Sequence, residues 1–303
     1  MATVLKSSAV AGDYTGQALY YDPANAFDFR WPPMPRRQFL AEREQAFDPA
    51  APSGVVSLDA SDALETSYPA TTPSLLAQYL RLRAGEQFAT RQRASGEVFF
   101  VMQGAGLSRN GPDVIAWHRG DLFCFPGGRE TMHEAGNEDA ILFCVSDQPL
   151  VTFQDLQPPR FGESLIETVH WPRVEIDKRL DTVYARSDSK EEAGRAVLFS
   201  SQALAPARNI LPMMVAAINT LEPGKDQRAH RHNGVAITLA LEGEGVYSLI
   251  ENERVDWVSG VAQVTPATEL HSHHNRGTKR MRSLVIQDEG LHYYTRTPGF
   301  SWD

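Results

Sequence analysis

The stretch PGKDQRAHRHNGVAITLALEGEG, residues 223–245, decides how this chain folds. One residue separates His230 from His232, so in an extended strand both imidazoles leave the same face. The apolar run VAITLAL that follows is closed by Gly243 and Gly245, the rhythm of a strand ending in a turn. About forty residues on, TPATELHSHHNRG (265–277) places His271 just beyond another turn, where a later strand of the same barrel would return beside the first. Three neutral imidazoles converging from two strands make a facial site with positions left open for substrate, water or oxygen. His230, His232 and His271 are therefore expected to ligate one divalent metal ion. An isolated His-x-His is usually a plain surface pair; the third histidine and the turn residues around it favour the metal.

The same punctuation occurs earlier in the chain. Gly85, Arg91, Arg93 and Gly104 are spaced like Gly224, His230, His232 and Gly243. Gly120 and Pro126 match Gly260 and Pro266, followed by His133 with Asn137 against His271 with Asn275, once small loop differences are allowed. Two copies of one antiparallel β-domain are expected. The predicted layout is an arm or cap over 1–72, a first barrel over 73–150, a mixed segment over 151–210 and a second barrel over 211–303. RWPPMPRRQFLAEREQAF (30–47) offers a helix within the arm, and DKRLDTVYARSDSKEEAGRAV (177–197) reads as part helix, part loop. With Arg91 and Arg93 in the places of His230 and His232, the first barrel cannot ligate a metal, because a guanidinium has no lone pair to give. It would serve as structure, oligomerisation surface or pocket wall, or hold an anion between the two arginines.

Composition narrows the partners. The 29 basic and 38 acidic residues leave a net charge of −9, and no basic cluster offers a surface for nucleic acid. No apolar run approaches the roughly 20 residues of a membrane helix, and the opening MATVLKSSAVAGDYTG lacks a secretory n-region and h-region, so no membrane partner and a cytoplasmic location are expected. Cys124 and Cys144 sit inside the apolar runs DLFCFP and ILFCVSD, as buried free thiols do.

The two stretches that carry the histidines, from Gly224 to Gly243 and from Gly260 to Asn275, resemble the two consensus motifs of the cupin superfamily. Within it they resemble the catalytic cupin of gentisate 1,2-dioxygenase and its salicylate and 1-hydroxy-2-naphthoate relatives, over about 80 residues, with a bicupin layout extending more weakly along the chain. The resemblance implies a mainly β fold of two cupin (double-stranded β-helix, jelly-roll) barrels with an N-terminal arm and short helices. It also implies iron(II) on His230, His232 and His271. Departures are informative. Ala236 and its neighbours are apolar where many cupins add a glutamate ligand, which disfavours a four-ligand manganese site; Thr268 replaces a consensus glycine. Thr238 stands where the group has an arginine that grips the substrate carboxylate, so either the substrate lacks that carboxylate or Arg195 or Arg208 approaches the site. Asn219 replaces a substrate-contacting glutamine and is either a pocket residue or an ordinary strand residue. His273 is assigned as an acid/base or substrate-orienting group, with His274 pointing away. Asp288 matches an aspartate near the family's pocket and would touch substrate or orient a ligand histidine, or be a solvated turn residue. His118, His170 and His292 are expected to be surface or core residues.

The function so implied is an iron(II)-dependent dioxygenase that uses O2 to cleave a hydroxylated aromatic or related small molecule with adjacent oxygens. The rival readings are a non-catalytic sensor cupin and a metal-dependent isomerase, hydrolase or decarboxylase, since imidazole also suits zinc and nickel, and manganese is not excluded. Barrels of this kind often bury sheet edges by pairing, so a homodimer or homotetramer is expected.

Overall fold

In the computed structural model of the chain, residues 12–160, 162–186 and 195–302 are described. Residues 1–11 of the opening and 187–194 of the mixed segment, both read above, lie outside the described residues. Residues 12–32 belong to a separate unit whose regular structure is the 3-10 turn Thr15–Gln17. Residues 33–303 form the second unit, and it is mainly antiparallel β. Among the described residues no helix is long and apolar enough to cross a membrane.

Four sheets make two barrels. In the first barrel, Gly54–Ser57, Leu76–Leu82, Ala140–Ser146, Gly96–Gln103, Leu122–Pro126 and Val169–Trp171 are neighbours in that order, opposite a sheet of Gln87–Arg91, Glu130–Ala135, Ala105–Asn110 and Asp113–His118. In the second, Arg195–Phe199, Val215–Leu221, Met281–Gln287, Ala236–Glu242 and Ala262–Thr265 lie opposite Glu253–Asp256, Val246–Ile250, His271–Asn275, His230–His232 and Phe300–Trp302. Gly54–Ser57, from the stretch read as an arm, pairs with Leu76–Leu82. The mixed segment lends an edge strand to each barrel, Val169–Trp171 to the first and Arg195–Phe199 to the second. Helix Leu40–Phe47 lies within the proline-led stretch, and helix Arg173–Tyr184 within the mixed one. Cys124 and Cys144 are buried free thiols.

The barrels share one apolar core. Leu75, Tyr79, Val98, Phe100 and Phe143 of the first are buried in the same cluster as Ile218, Ile237, Leu239, Val264 and Leu284 of the second. Polar groups also cross this junction. The Tyr79 hydroxyl donates to the Gly260 carbonyl at 2.8 Å and accepts from the Ala262 amide at 3.2 Å. Arranging a buried backbone donor and acceptor around one hydroxyl satisfies both without water.

The strand ladders correct the register of the repeat. His230 pairs with His271, and the pair at the same place in the first barrel is Thr90 with Thr131. His133 hydrogen-bonds Ser108, to which Trp117 also donates, just as His273 hydrogen-bonds Ser248, to which Trp257 also donates. His133 is thus the counterpart of His273, not of His271. Thr90, Gln92 and Thr131 are the inward, buried counterparts of the histidine trio. Arg91 and Arg93 point out of the barrel, because side chains alternate along a strand and a slip of one residue exchanges its faces. Arg93 donates to Leu156 O at 2.7 Å and to Asp155 at 2.8 Å, and Arg91 is exposed on the same outer face. In this half two threonines and a glutamine thus take the inward places that histidines hold in the second barrel.

The first barrel is also full. Phe99 faces Phe123, and Glu97 faces Phe125, across the ladder; the corresponding pairs in the second barrel are Thr238 with Gln263 and Ala236 with Thr265. Phe99, Phe123 and Phe125 are completely buried and pack ring against ring, with 5.0 Å between the first two centroids. The interior apolar cluster of the second barrel contains only Ala240, Val246, Trp257 and Met281 among its buried members, which leaves space beside the histidines.

Two stability effects follow from these packings. Tyr79→Phe strips the junction of its hydroxyl and is expected to cost about 1–3 kcal/mol, read as a lower melting temperature with the far-ultraviolet spectrum retained. Glu97 is fully buried, its Oε1 has no hydrogen-bond partner among the described residues, and burial pushes its carboxyl up to about 8. The folded chain therefore keeps a proton that the unfolded chain releases above its ordinary pKa, roughly 4.3, and stability is lost as pH rises from there through about 8. Glu97→Gln should remove that loss, stabilising the protein at pH 8 relative to wild type by up to a few kcal/mol and not at pH 4; equal melting-temperature differences at both values would refute the assignment.

Candidate metal centre

The three-residue strand His230–His232 presents its two histidines inward with Arg231 between them on the outer face. Its neighbour His271–Asn275 pairs in register, so His230 stands directly opposite His271. The ring centroids of His230 and His271 are 4.3 Å apart, and those of His232 and His271 4.8 Å. One nitrogen from each of the three rings lies within 4.8 Å of the others, and all three side chains are buried.

Each ring is held by its own backbone. Nδ1 of His230 donates to Arg228 O at 2.9 Å, Nδ1 of His232 to Gly234 O at 2.8 Å and Nδ1 of His271 to Glu269 O at 2.9 Å. A carbonyl can only accept, so each Nδ1 carries the proton and each Nε2 keeps its lone pair. Burial pushes His232 down to about 4 and His271 down to about 2, the latter also through the neighbouring histidines His230, His273 and His232; His230 is lowered by burial as well. The rings are neutral at neutral pH. Three buried neutral imidazoles with unprotonated Nε2 atoms suit a divalent transition ion, and among the described residues this is the one such cluster.

The turn just before His271 is under local strain. Thr268, in place of the consensus glycine, keeps a left-handed backbone with φ of 66°, and its amide donates to His232 O at 2.7 Å, tying the turn to the ligand strand.

His273 is set differently from the trio. Its Nδ1 is 2.8 Å from the Ser248 hydroxyl, which also receives Trp257 Nε1 at 2.7 Å and Gln263 Nε2 at 3.1 Å. Two donors fill the lone pairs of Ser248, so its own proton goes to His273 Nδ1 and the histidine proton sits on Nε2. Burial holds His273 neutral, down to about 3. The result is a fixed neutral donor beside three fixed acceptors. His274 points away, with Nδ1 2.6 Å from Asp226.

Two connected spaces adjoin the rings. A space of about 30 Å³ is lined by the trio together with His273, Thr238 and Asn219. A larger cavity of about 210 Å³ is lined by His230, His232 and Asn219 with Val215, Val285 and Phe300. Asn219 and Thr238 are thus brought to the histidines. Asp288 is not: its carboxylate accepts from the Val235 amide at 2.7 Å and from the Ser74 hydroxyl, and it lines neither space. Backbone carbonyls, not Asp288, accept from the Nδ1 atoms of the three rings. Arg195 lines the larger cavity, but its guanidinium donates to Tyr184 O, Arg186 O and Glu222; Arg208 is exposed and lines neither space. His170 hydrogen-bonds Asp121 at 3.0 Å, far in sequence from the trio.

Several cavity residues were not singled out from sequence. Gln287 donates to His232 Nε2 at 3.0 Å, Phe300 stacks on His230 with centroids 5.2 Å apart, and Gln227, Glu289 and Tyr293 complete the wall. The aromatic stretch PGFSW at 298–302 was a signal that could have marked a short strand; an amide such as Gln287 on a strand carries no signal of its own.

Comparisons with known proteins agree with this geometry. Residues 217–287, which hold all three histidines, match the cupin domain family. The 5-aminosalicylate 1,2-dioxygenase of Comamonas sp is 29% identical over 146 residues, 46% of this chain and 39% of that protein. The gentisate 1,2-dioxygenase of Ralstonia sp is 29% identical over 109 residues, 34% of this chain and 30% of that protein. The matched part of the chain thus spans less than half the length of either relative. The salicylate 1,2-dioxygenase of Pseudoaminobacter salicylatoxidans, solved as adducts with gentisate, superposes with a TM-score of 0.73 over 93% of this chain and 89% of that one, at 13% identity, a likeness of fold. The chain is thus mainly β, with a cupin domain match over residues 217–287, the overall fold of that solved dioxygenase and a three-histidine cluster in its second barrel.

Proposed function

We propose that the second barrel is the active site of an iron(II)-dependent dioxygenase that opens a hydroxylated aromatic ring, or a related small molecule with adjacent oxygens. The observation that carries the reading is the trio of neutral, carbonyl-anchored imidazoles, two of which line a cavity of about 210 Å³, below the roughly 300–1,000 Å³ of drug-sized sites and suited to a single ring. Similarity to dioxygenases named for 5-aminosalicylate and gentisate supports it.

His230, His232 and His271 would hold the iron, which supplies a redox-active centre where substrate and O2 meet. The protein does the positioning. Phe300 and Val285 wall the ring and exclude water, and Asn219, Thr238 and Gln287 offer hydrogen bonds around it. His273, whose Nε2 holds a proton, donates to an oxygen in the small space and can pass that proton on as charge develops. Both atoms of O2 enter the product as one ring bond breaks, so no external reductant is consumed.

The first barrel, filled by phenylalanines, would be a structural partner, with the chain organised as an arm over 1–72, barrels over 73–150 and 211–303 and a segment over 151–210 between them. Assembly as a homodimer or homotetramer and a cytoplasmic location belong to the same reading.

Two measurements test it. Iron content of His232→Ala should fall by about tenfold or more, whereas Arg231→Ala, altered on the outer face of the same strand, should keep its iron; equal loading of wild type and His232→Ala would overturn the ligand set. Iron-loaded wild type should take up one O2 per molecule of substrate from a panel of hydroxybenzoates, aminophenols and hydroquinones, with both oxygen-18 atoms in the product. Binding without uptake for the whole panel would count against catalysis.

A further inference from the structure

The larger cavity beside His230 and His232 has a polar balance unlike one built for an acid. Its only guanidinium, that of Arg195, is committed to two carbonyls and to Glu222. Thr238, on the floor of the adjoining space, is buried and uncharged. The remaining ionisable residues of the wall, apart from the two histidines, are Glu289 and Tyr293. Glu289 is 3% exposed, and its Oε1 has no hydrogen-bond partner among the described residues. Tyr293, one turn along the helix Gly290–Tyr294, hydrogen-bonds the same carboxyl. Gln227, also on the wall, has a buried Oε1 without a partner. Among the described residues the cavity therefore offers unfilled acceptors and no uncommitted cation.

We infer that this cavity takes an aromatic ring bearing hydroxyl or amino groups and no carboxylate, with Glu289 as the residue that makes the choice. The inference rests on the dioxygenase reading for the identity of the site and narrows its substrate class. A buried acceptor left unpaired is destabilised, and a phenolic O–H or aromatic N–H that reaches it removes that penalty. A substrate carboxylate brings no donor. Two carboxylates sharing a poorly solvated space cannot both stay ionised, so binding an acid would force one of them to take up a proton. Gln227 can turn either end of its amide to the ligand, so it tolerates both classes, and the discrimination falls to Glu289.

Calorimetry on the iron-loaded full chain under anaerobic conditions tests this with hydroquinone, 2-aminophenol, gentisate and salicylate. Hydroquinone and 2-aminophenol should bind about tenfold or more tightly than the two acids. In Glu289→Gln, with iron content and melting temperature unchanged, the gap should shrink to about threefold or less. Equal or tighter binding of the acids by wild type, no binding of either class at millimolar concentration, or an undiminished gap in Glu289→Gln would overturn the inference; the wild-type ranking decides even if the variant misfolds. Oxygen uptake on the same four compounds separates the two readings. A preference for acid-free rings without uptake removes the dioxygenase reading alone, and uptake with tighter binding of gentisate removes this inference alone.

Discussion

Everything at the candidate centre depends on the antiparallel pairing of His230 with His271. Residues facing each other across a ladder stand a few ångströms apart, so one backbone pairing brings rings from distant parts of the chain together. His-x-His adds the third by strand alternation. The remaining freedom, rotation of each ring, is removed by a carbonyl two residues away in all three cases. The site needs no carboxylates to orient it, and the barrel's hydrogen bonds do that work as part of folding. The same enclosure that excludes water keeps the rings neutral, since a buried imidazolium would lie beside other imidazoles with nothing to balance it.

The two barrels show how one scaffold yields two outcomes. Trp117, Ser108 and His133 repeat Trp257, Ser248 and His273 bond for bond, so the hydrogen-bonded frame is common to both. In the first barrel the His133 Nε2 lies 3.1 Å from Thr90, which closes the frame on itself. In the second, the place of Thr90 belongs to His230, and the His273 donor is left for whatever enters the space. Phenylalanines fill the first interior where Thr238, Gln263 and Thr265 line the second. Burying three aromatic rings there gives the first half a solid apolar interior, and the space thereby withheld from ligands becomes packing. The second half gives up that packing beside the histidines and leans on the apolar core shared between the barrels.

Sequence alone determined the β-class, the repeat, the buried thiols and the residues of the trio, because each follows from local rules: alternation on a strand, glycine and proline at turns, and imidazole as a ligand. It did not determine the register of the first copy. Compensating shifts of one residue on either side of Thr90 leave the outer glycines in step, so spacing pointed to Arg91 and Arg93, and only the cross-strand pairing of Thr90 with Thr131 showed which face turns inward. Asp288 was misplaced for a similar reason. A carboxylate beside a pocket motif reads as functional until the fold brings Ser74, from far earlier in the chain, and the Val235 amide to its oxygens. Gln227, Gln287, Glu289 and Phe300 reach the cavity from a loop, two separate strands and a helix start, and nothing local marks them. Ligand identity lies in short-range pattern, whereas the shape and polarity of a cavity are set by contacts between residues remote in sequence, which only the closed barrel brings together.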